Sequence, residues 1–256
     1  SVCREAESAR FHRQITKQML DTMPKPMTTA ESVAKAVVDA SMTHMAKLII
    51  TLSSTGTSAR VISKYRPACP ILVVCRDEHV GAACNLHNGC IPFHYSGDRP
   101  DDGRDQEERF SFAMKKAVET GLAEVGDSVV LAYGWQSGKS SLTSFRMSKI
   151  DLADRLELQL RPPELIDLCD FTVKRVVTPA AAPSDSMHKA LQAASQQAVS
   201  VFDHAAKLDI YSQAASTRAT AIICTIGPKT KDPEKLTMLR EMGLNIVRMN
   251  FSHGSY

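Results

Sequence analysis

The chain has 256 residues, 43% of them apolar, and a net charge of +3, enough length and apolar content for one large domain or two ordinary ones. Its Lys and Arg residues are scattered among Asp and Glu with no basic block interleaved with aromatics, which argues against nucleic acid as a partner. No apolar run approaches the ~18 residues of a membrane span, and the first residues, SVCREAESARFHRQ, lack the apolar core of a secretory signal.

Seven cysteines, at 3, 69, 75, 84, 90, 169 and 224, are an odd number, and several lie inside apolar runs such as CPILVVC and AIICTI. That is the usage of buried free thiols in a reducing compartment, so a cytoplasmic protein is expected. Position 1 is not Met and the last residues stop within an unfinished element, so the sequence reads as a piece of something longer.

In chain order, residues 4–21 read as one helix ended by Pro24 and Pro26. A second helix follows from Thr28, with Glu31 three residues on as a reciprocal capping partner. Its stripe is Val33, Ala34, Val37, Ala40, Ser41 and Met45. KLIITL (47–52) is a short buried-strand run, followed by the hydroxyl-rich SSTGTSARVISKY (53–65). The grammar then repeats: CPILVV (69–74), a helix near 77–85, GCIPFH (89–94), a polar loop, and a helix at about 107–121. SVVLAYG (128–134) and SLTSFRM (141–147) read as a hairpin. Strands alternating with helices predict an α/β domain with a mostly parallel sheet over residues 1–150. Residues 151–185 read as a Pro-, Ala- and Ser-rich linker. A helix is expected at about 186–206, then a strand in TRATAIICTIG (217–227), a helix with Pro233 near its start and Gly243 at its stop, and a strand in LNIVRM (244–249). A strand-helix-strand unit cannot bury its own faces and needs a larger domain.

GWQSGKSS, Gly134 to Ser141, has the look of a phosphate-binding loop. A P-loop, however, spaces its glycines by four residues and exits into a helix. Here three residues separate Gly134 from Gly138, and SSLTSFRM alternates like a strand. A hairpin turn and a solvent-facing lid over another anionic ligand both remain open on this reading. TLSSTGTSA is the better anion candidate: after a strand and before a helix it offers the hydroxyls of Ser53, Ser54, Thr55, Thr57 and Ser58, with Gly56 letting the backbone curl its amides inward. A capped helix behind a hydroxyl-rich loop is the plain alternative. Cys84, His87, Cys90 and His94 can be drawn as a zinc site, but they straddle a helix end and an alternating strand, and packing is the better account. At the C-terminal end, IVRMNFSHG places Arg248 at a strand terminus with Asn250, Ser252 and His253 just beyond. There a guanidinium suits a phosphate or carboxylate, and side-chain oxygens suit a hard cation; a polar strand end with an ordinary turn is the competing reading.

AIICTIGPKTKDPEKLTMLREMGLNIVRMNFSHGSY resembles the opening of the barrel domain of pyruvate kinase, and KLDIYSQAASTRAT resembles that family's lead-in. REAESARF, DASMTHMAKLIITLSSTGTSARVISKYRPACPILVV and FAMKKAVETGLAEVGDSVVLAYGW resemble its far C-terminal domain. The order is reversed from a single pyruvate kinase, which implies either the junction of two tandem copies or a faulty gene model. The implied architecture is a C-terminal-type α/β domain at 1–150, a linker at 151–185, and at 186–256 the incomplete start of a TIM (β/α)8 barrel.

The resemblance implies phosphoryl transfer from phosphoenolpyruvate to ADP, giving pyruvate and ATP in glycolysis, with Mg2+ and K+ as cofactors. It implies that Arg248 contacts the phosphoryl group in transit, that Asn250 and Ser252 hold the K+, and that Asn250 and His253 lie near the nucleotide phosphates. The family's lysine, its Mg2+-binding Glu and Asp, and its lid domain are missing from these residues, so the chain alone is expected to be inactive. In the same family the loop at Ser53 to Ser58 (Ser53, Ser54, Thr55, Gly56, Thr57 and Ser58) binds a phosphate of a sugar bisphosphate effector. Its Lys or Arg are replaced here by Ser54 and Thr57, Arg109 retains the arginine for the other phosphate, and the accompanying tryptophan falls near Asp102. GWQSGKSS matches the effector-covering loop, with Lys139 as its cation. A homotetramer is the implied assembly, and a non-catalytic sugar-phosphate-binding or oligomerisation module is the rival function.

Overall fold

A computed structural model of the chain describes residues 2–97, 105–134, 142–151, 195–209, 211–212, 214–215 and 217–250. The expected linker, the tip of the 134–141 loop including Lys139, and the terminal Ser252 and His253 lie outside the described residues.

Four apolar runs and one alternating, mostly polar segment become five strands: β1 (Leu48–Leu52), β2 (Ile71–Cys75), β3 (Cys90–His94), β4 (Ser128–Tyr133) and β5 (Ser144–Lys149). They lie in one sheet in the order β3-β2-β1-β4-β5. Every residue of β1 and β2 is buried, as strands covered on both faces require. β1 pairs parallel with β2 and β4, β2 pairs parallel with β3, and β5 closes the edge antiparallel to β4. The predicted mostly parallel sheet is present, and β4 and β5 pair antiparallel as the expected hairpin requires.

The sheet sorts its side chains by the period of two. Ile49, Val73 and Val130 pack with Ala34, Val37 and Val38 of α3 (Thr29–Thr43) and with Ala59 and Ile62 of α4 (Thr57–Lys64). Leu48, Ile50, Leu72, Val129 and Leu131 pack instead with Phe110, Ala113 and Ala117 of α6 (Asp105–Glu119). α5 (Glu78–Cys84) starts on Asp77, whose carboxylate accepts from the amides of His79 and Val80, and lies against β2 and β3.

Several local expectations change. The helix expected over 4–21 is broken into α1 (Val2–Ser8) and α2 (His12–Thr22). The carbonyls that the break releases are used from outside: Ala9 O accepts from or faces His204, and Arg10 O accepts from Gln196 Nε2 at 2.8 Å. The capping box at Thr28 is half formed. Thr28 Oγ1 accepts from Glu31 N, but the Glu31 carboxylate turns to Lys64 Nζ at 2.8 Å and Tyr65 Oη at 2.5 Å, tying α3 to the end of α4. Met45, expected on the buried stripe, is 64% exposed, because the helix has already ended at Thr43.

Among the described residues of the 186–206 segment, the run is also interrupted. Ser200 accepts from Asp203 N and starts a separate short helix, α7 (Val201–Ala206). Beyond it, β6 (Ile223–Ile226) and β7 (Ile246–Met249) pair in parallel around α8 (Pro233–Glu241), which carries Pro at its start. Both strands are shorter than the runs that announced them. α8 buries no residue, and Ile223, Val247 and Met249 stay 51%, 44% and 65% exposed. This is the beginning of a barrel whose faces stay largely uncovered among the described residues.

Candidate functional site

β2 and β3 follow β1 on one side, whereas β4 lies on its other side. The strand order therefore reverses between β1 and β4, and at the carboxyl ends of such a pair the connecting loops part to leave a crevice. The hydroxyl loop leaves β1 at this edge and Gly134 leaves β4 beside it. Gln106 of α6 donates to Gly134 O at 3.1 Å, which fixes the start of α6 to the same edge.

The loop is internally built. Ser53 is buried; its amide donates to Val74 O at 3.0 Å, and its Oγ accepts from Gly56 N at 2.9 Å. Thr55 and Thr57 hydroxyls lie 3.0 Å apart, Ser54 and Thr55 are exposed, and Ser58 is buried. Gly56 takes φ 79°, a left-handed conformation that costs an L side chain about 1–2 kcal/mol. A Cβ there would also meet Cys84 Sγ at 3.3 Å. Gly56 precedes α4 without a side-chain cap, so the positive end of that helix opens onto the exposed hydroxyls.

Arg109 reaches this edge from α6. Its Nη2 donates to Val74 O at 3.0 Å, the same carbonyl that holds Ser53 N, so the guanidinium and the loop share an acceptor. Its Nη1 lies 3.5 Å from Asp105, which is also paired with Arg76. Arg76 donates to Gly97 O and stacks over Tyr95 with 4.9 Å to the ring centroid. Burial pulls Arg109 below the ordinary guanidinium value, Asp105 opposes that, and Arg76 adds to it. Two guanidiniums share the Asp105 carboxylate, Glu108 stands at the Tyr95 hydroxyl beside them, and Arg109 Nε is a buried donor with no hydrogen-bond partner among the described residues. The spacing of Asp105 and Arg109 announces their pairing. Arg76, from the end of another strand, carries no such signal in the sequence.

The four residues of the drawn zinc site are spent separately. Cys84 lies beneath Gly56, Cys90 Sγ is 3.8 Å from Ala59 O, and His94 Nε2 is 3.0 Å from Arg76 O. Burial pulls His87 below the usual imidazole value. Among the described residues no group of three or more His, Cys, Asp and Glu is placed to hold a metal ion.

In the second unit Arg248 sits opposite Thr225 in the β6–β7 register, and its Nη1 donates to Thr225 Oγ1 at 3.1 Å. It is exposed, as is Asn250 just past the strand end. Thus the structure brings Ser53 to Ser58 together with Arg109, and it places Arg248 near Asn250 at a strand terminus.

Residues 31–146 match the family model of the pyruvate kinase alpha/beta domain, and residues 217–256 match that of the pyruvate kinase barrel domain. The chain is 37% identical over 146 residues to pyruvate kinase 2 of Saccharomyces cerevisiae, covering 57% of this chain and 29% of the relative. It is 36% identical over 148 residues to a pyruvate kinase of Candida albicans, with 57% and 29% covered. A pyruvate kinase of Agaricus bisporus is 32% identical over 164 residues, with 62% and 31% covered. The chain thus spans under a third of the length of these curated relatives. By both matches it is related to the pyruvate kinase family, with an alpha/beta domain at 31–146 followed by the beginning of a barrel domain at 217–256.

Proposed function

We propose that the chain belongs to a cytoplasmic, tetramer-forming pyruvate kinase-type protein. Its complete barrel transfers a phosphoryl group from phosphoenolpyruvate to ADP, and its α/β domain takes a sugar bisphosphate at the carboxyl edge of the sheet. The observation that carries the effector reading is the shared carbonyl of Val74, which sets Arg109 beside the Ser53 to Ser58 loop at the positive end of α4. One phosphate would lie against the hydroxyls and the first-turn amides of α4. The other would draw Arg109 from Asp105, with Lys139 closing over the ligand. Domain limits of 1–150, 151–185 and 186–256 are part of the same proposal.

For the barrel, Arg248 would meet the phosphoryl group in transit, Asn250 and Ser252 would hold K+, and Asn250 with His253 would face the nucleotide. Removing a single preorganised donor costs an enzyme about 2.7–4 kcal/mol. Here a lysine and the divalent-metal carboxylates are absent together, so the 256 residues alone should not turn over. The described residues do not assemble a site for Mg2+. The test is incubation of the purified chain with phosphoenolpyruvate, ADP, Mg2+ and K+. No ATP above a mock purification is expected, and steady ATP production would overturn this part of the reading.

For the chain by itself a second reading has an observation in its favour. The inner strands of the five-stranded sheet are packed on both faces, whereas β6 and β7 are not. A sugar-phosphate-binding or oligomerising module is what such a finished domain with an unfinished neighbour can still be. Calorimetry with fructose bisphosphate and light scattering on the same sample separate ligand binding from assembly.

A further inference from the structure

The outward side of α4 carries more positive charge than the fold itself matches. Arg60 and Lys64 are four residues apart on that helix and so share a face, and Arg66 follows just past its end. Together with Glu31 of α3 and His87, from the loop after α5, they line a cavity of about 430 Å3. Glu31 is the carboxylate among these residues, and its charge is already taken by Lys64 Nζ at 2.8 Å and the Tyr65 hydroxyl. Neither Arg60 nor Arg66 makes an ion pair among the described residues.

The surroundings sharpen that excess. Burial, and then the like charge of Arg10, pull Arg66 below the ordinary guanidinium value. Burial and the charge of Arg60 act the same way on His87, so the imidazole adds no cation of its own near neutrality. The residue at position 66 is also fixed: its φ is 52°, its amide donates to Ser63 O at 3.1 Å, and its carbonyl lies 3.1 Å from His12 Nδ1. A left-handed arginine persists only where neighbouring structure enforces it, and such positions gather at ligand clamps. Across the cavity Ser63 Oγ donates to Asn88 O at 2.7 Å, which ties the loop after α5 to α4.

We propose that this cavity is a further anion site, which takes a phosphate monoester carrying a small apolar body. It shares no residue with Ser53 to Ser58 or with Arg109. Two guanidiniums without a counter-ion suit a phosphate better than a single charge, because each planar fork can donate twice to its oxygens. The dianion would lie between Arg60 and Arg66, on the side away from the Glu31–Lys64 pair. Met19 and Val61 also line the cavity, and Leu86 stands on its rim at 58% exposed; an organic body bound beside the phosphate would cover them. The volume falls within the range of about 300–1,000 Å3 typical of small-ligand clefts.

The full chain, titrated at constant ionic strength with phenyl phosphate and separately with inorganic phosphate, tests the site. Binding is followed by NMR of the arginine Nε–Hε groups, assigned through Arg60→Gln and Arg66→Gln. Saturable shifts of Arg60 and Arg66 are expected, in the wild type and equally in Arg109→Met. Arg60→Gln changes an exposed position and should weaken phenyl phosphate about tenfold or more. Phenyl phosphate should bind at least about threefold tighter than inorganic phosphate, and Leu86→Ala should remove that preference. Shifts that grow without saturating or that sodium chloride reproduces, or an affinity unchanged in both Arg60→Gln and Arg66→Gln, would overturn the site. Equal affinity for the two probes would overturn the apolar body.

Discussion

Gly56 is the position where a single methyl group should report on the whole hydroxyl loop. At φ 79° and ψ −9° the left-handed backbone costs alanine about 1–2 kcal/mol, while stiffening of the unfolded chain returns about 0.4–1 kcal/mol. The new Cβ would also stand 3.3 Å from Cys84 Sγ and 3.7 Å from Val80 Cγ1, a contact that makes the buried thiol give way. Gly56→Ala should therefore destabilise the chain by about 1–2 kcal/mol, a fall of about 2–8 °C in Tm for a chain of this size. Urea unfolding followed by far-UV circular dichroism measures it. Repeating the substitution in a Cys84→Ala background removes the steric part and keeps the backbone part, so the cost should shrink without vanishing. Gly56→Asn, which enters the left-handed region more readily, should be milder than Gly56→Ala. If Gly56→Ala were neutral within about 0.3 kcal/mol, the argument from loop geometry would be refuted.

Glu7→Ala should strip the acceptor from the amides of Ala219 and Thr220 and raise their exchange at least tenfold; unchanged exchange would show that the carboxylate does not hold the segment. Tyr65→Phe should cost about 1–2 kcal/mol through the lost bond to Glu31, read by urea unfolding, and no loss would contradict that bond. Burial pushes the Glu31 carboxyl up, but hydrogen bonds from Lys64 and Tyr65 outweigh it and hold the group below its ordinary value of 4.5. A depressed carboxyl stabilises above its unfolded value and loses that contribution as pH falls through the folded one, so Glu31→Gln should flatten the acid limb of the stability curve. Burial pushes the thiol of Cys75 up to about 12 and that of Cys84 up to about 11. Among the described cysteines, iodoacetamide at neutral pH should accordingly label half-buried Cys3 and Cys224 ahead of Cys75 and Cys84, and equal labelling of Cys75 in the folded chain would contradict its burial.

The sheet was legible because its inner strands are short unbroken apolar runs bounded by turns, and runs such as LIITL and ILVVC have little use except between two layers of helices. The hydroxyl loop was legible for a similar reason, since its glycine and oxygens fall between a strand and a helix. The break at residues 9–11 was not. Nothing local in REAESARFHRQ stops a helix; His204 and Gln196, nearly two hundred residues away, take the carbonyls that the break exposes. Glu31 likewise has the right spacing for a capping box, yet Lys64 and Tyr65 offer a cation and a phenol that a backbone amide cannot match. Arg109 was named from the sequence, but its anchorage to Val74 and Asp105, and the presence of Arg76 on the same carboxylate, depend on how α6 crosses the ends of β1 and β2.

Titration calorimetry of the chain with fructose bisphosphate bears most directly on the central claim that the β1 edge is a phosphate site. Weak binding at millimolar ligand is expected, falling in Ser53→Ala, whose lost Oγ frees Gly56 N, and in Arg109→Met, with both variants still folded by circular dichroism. Absence of heat at millimolar ligand, or equal heat in the wild type and both variants, would contradict it.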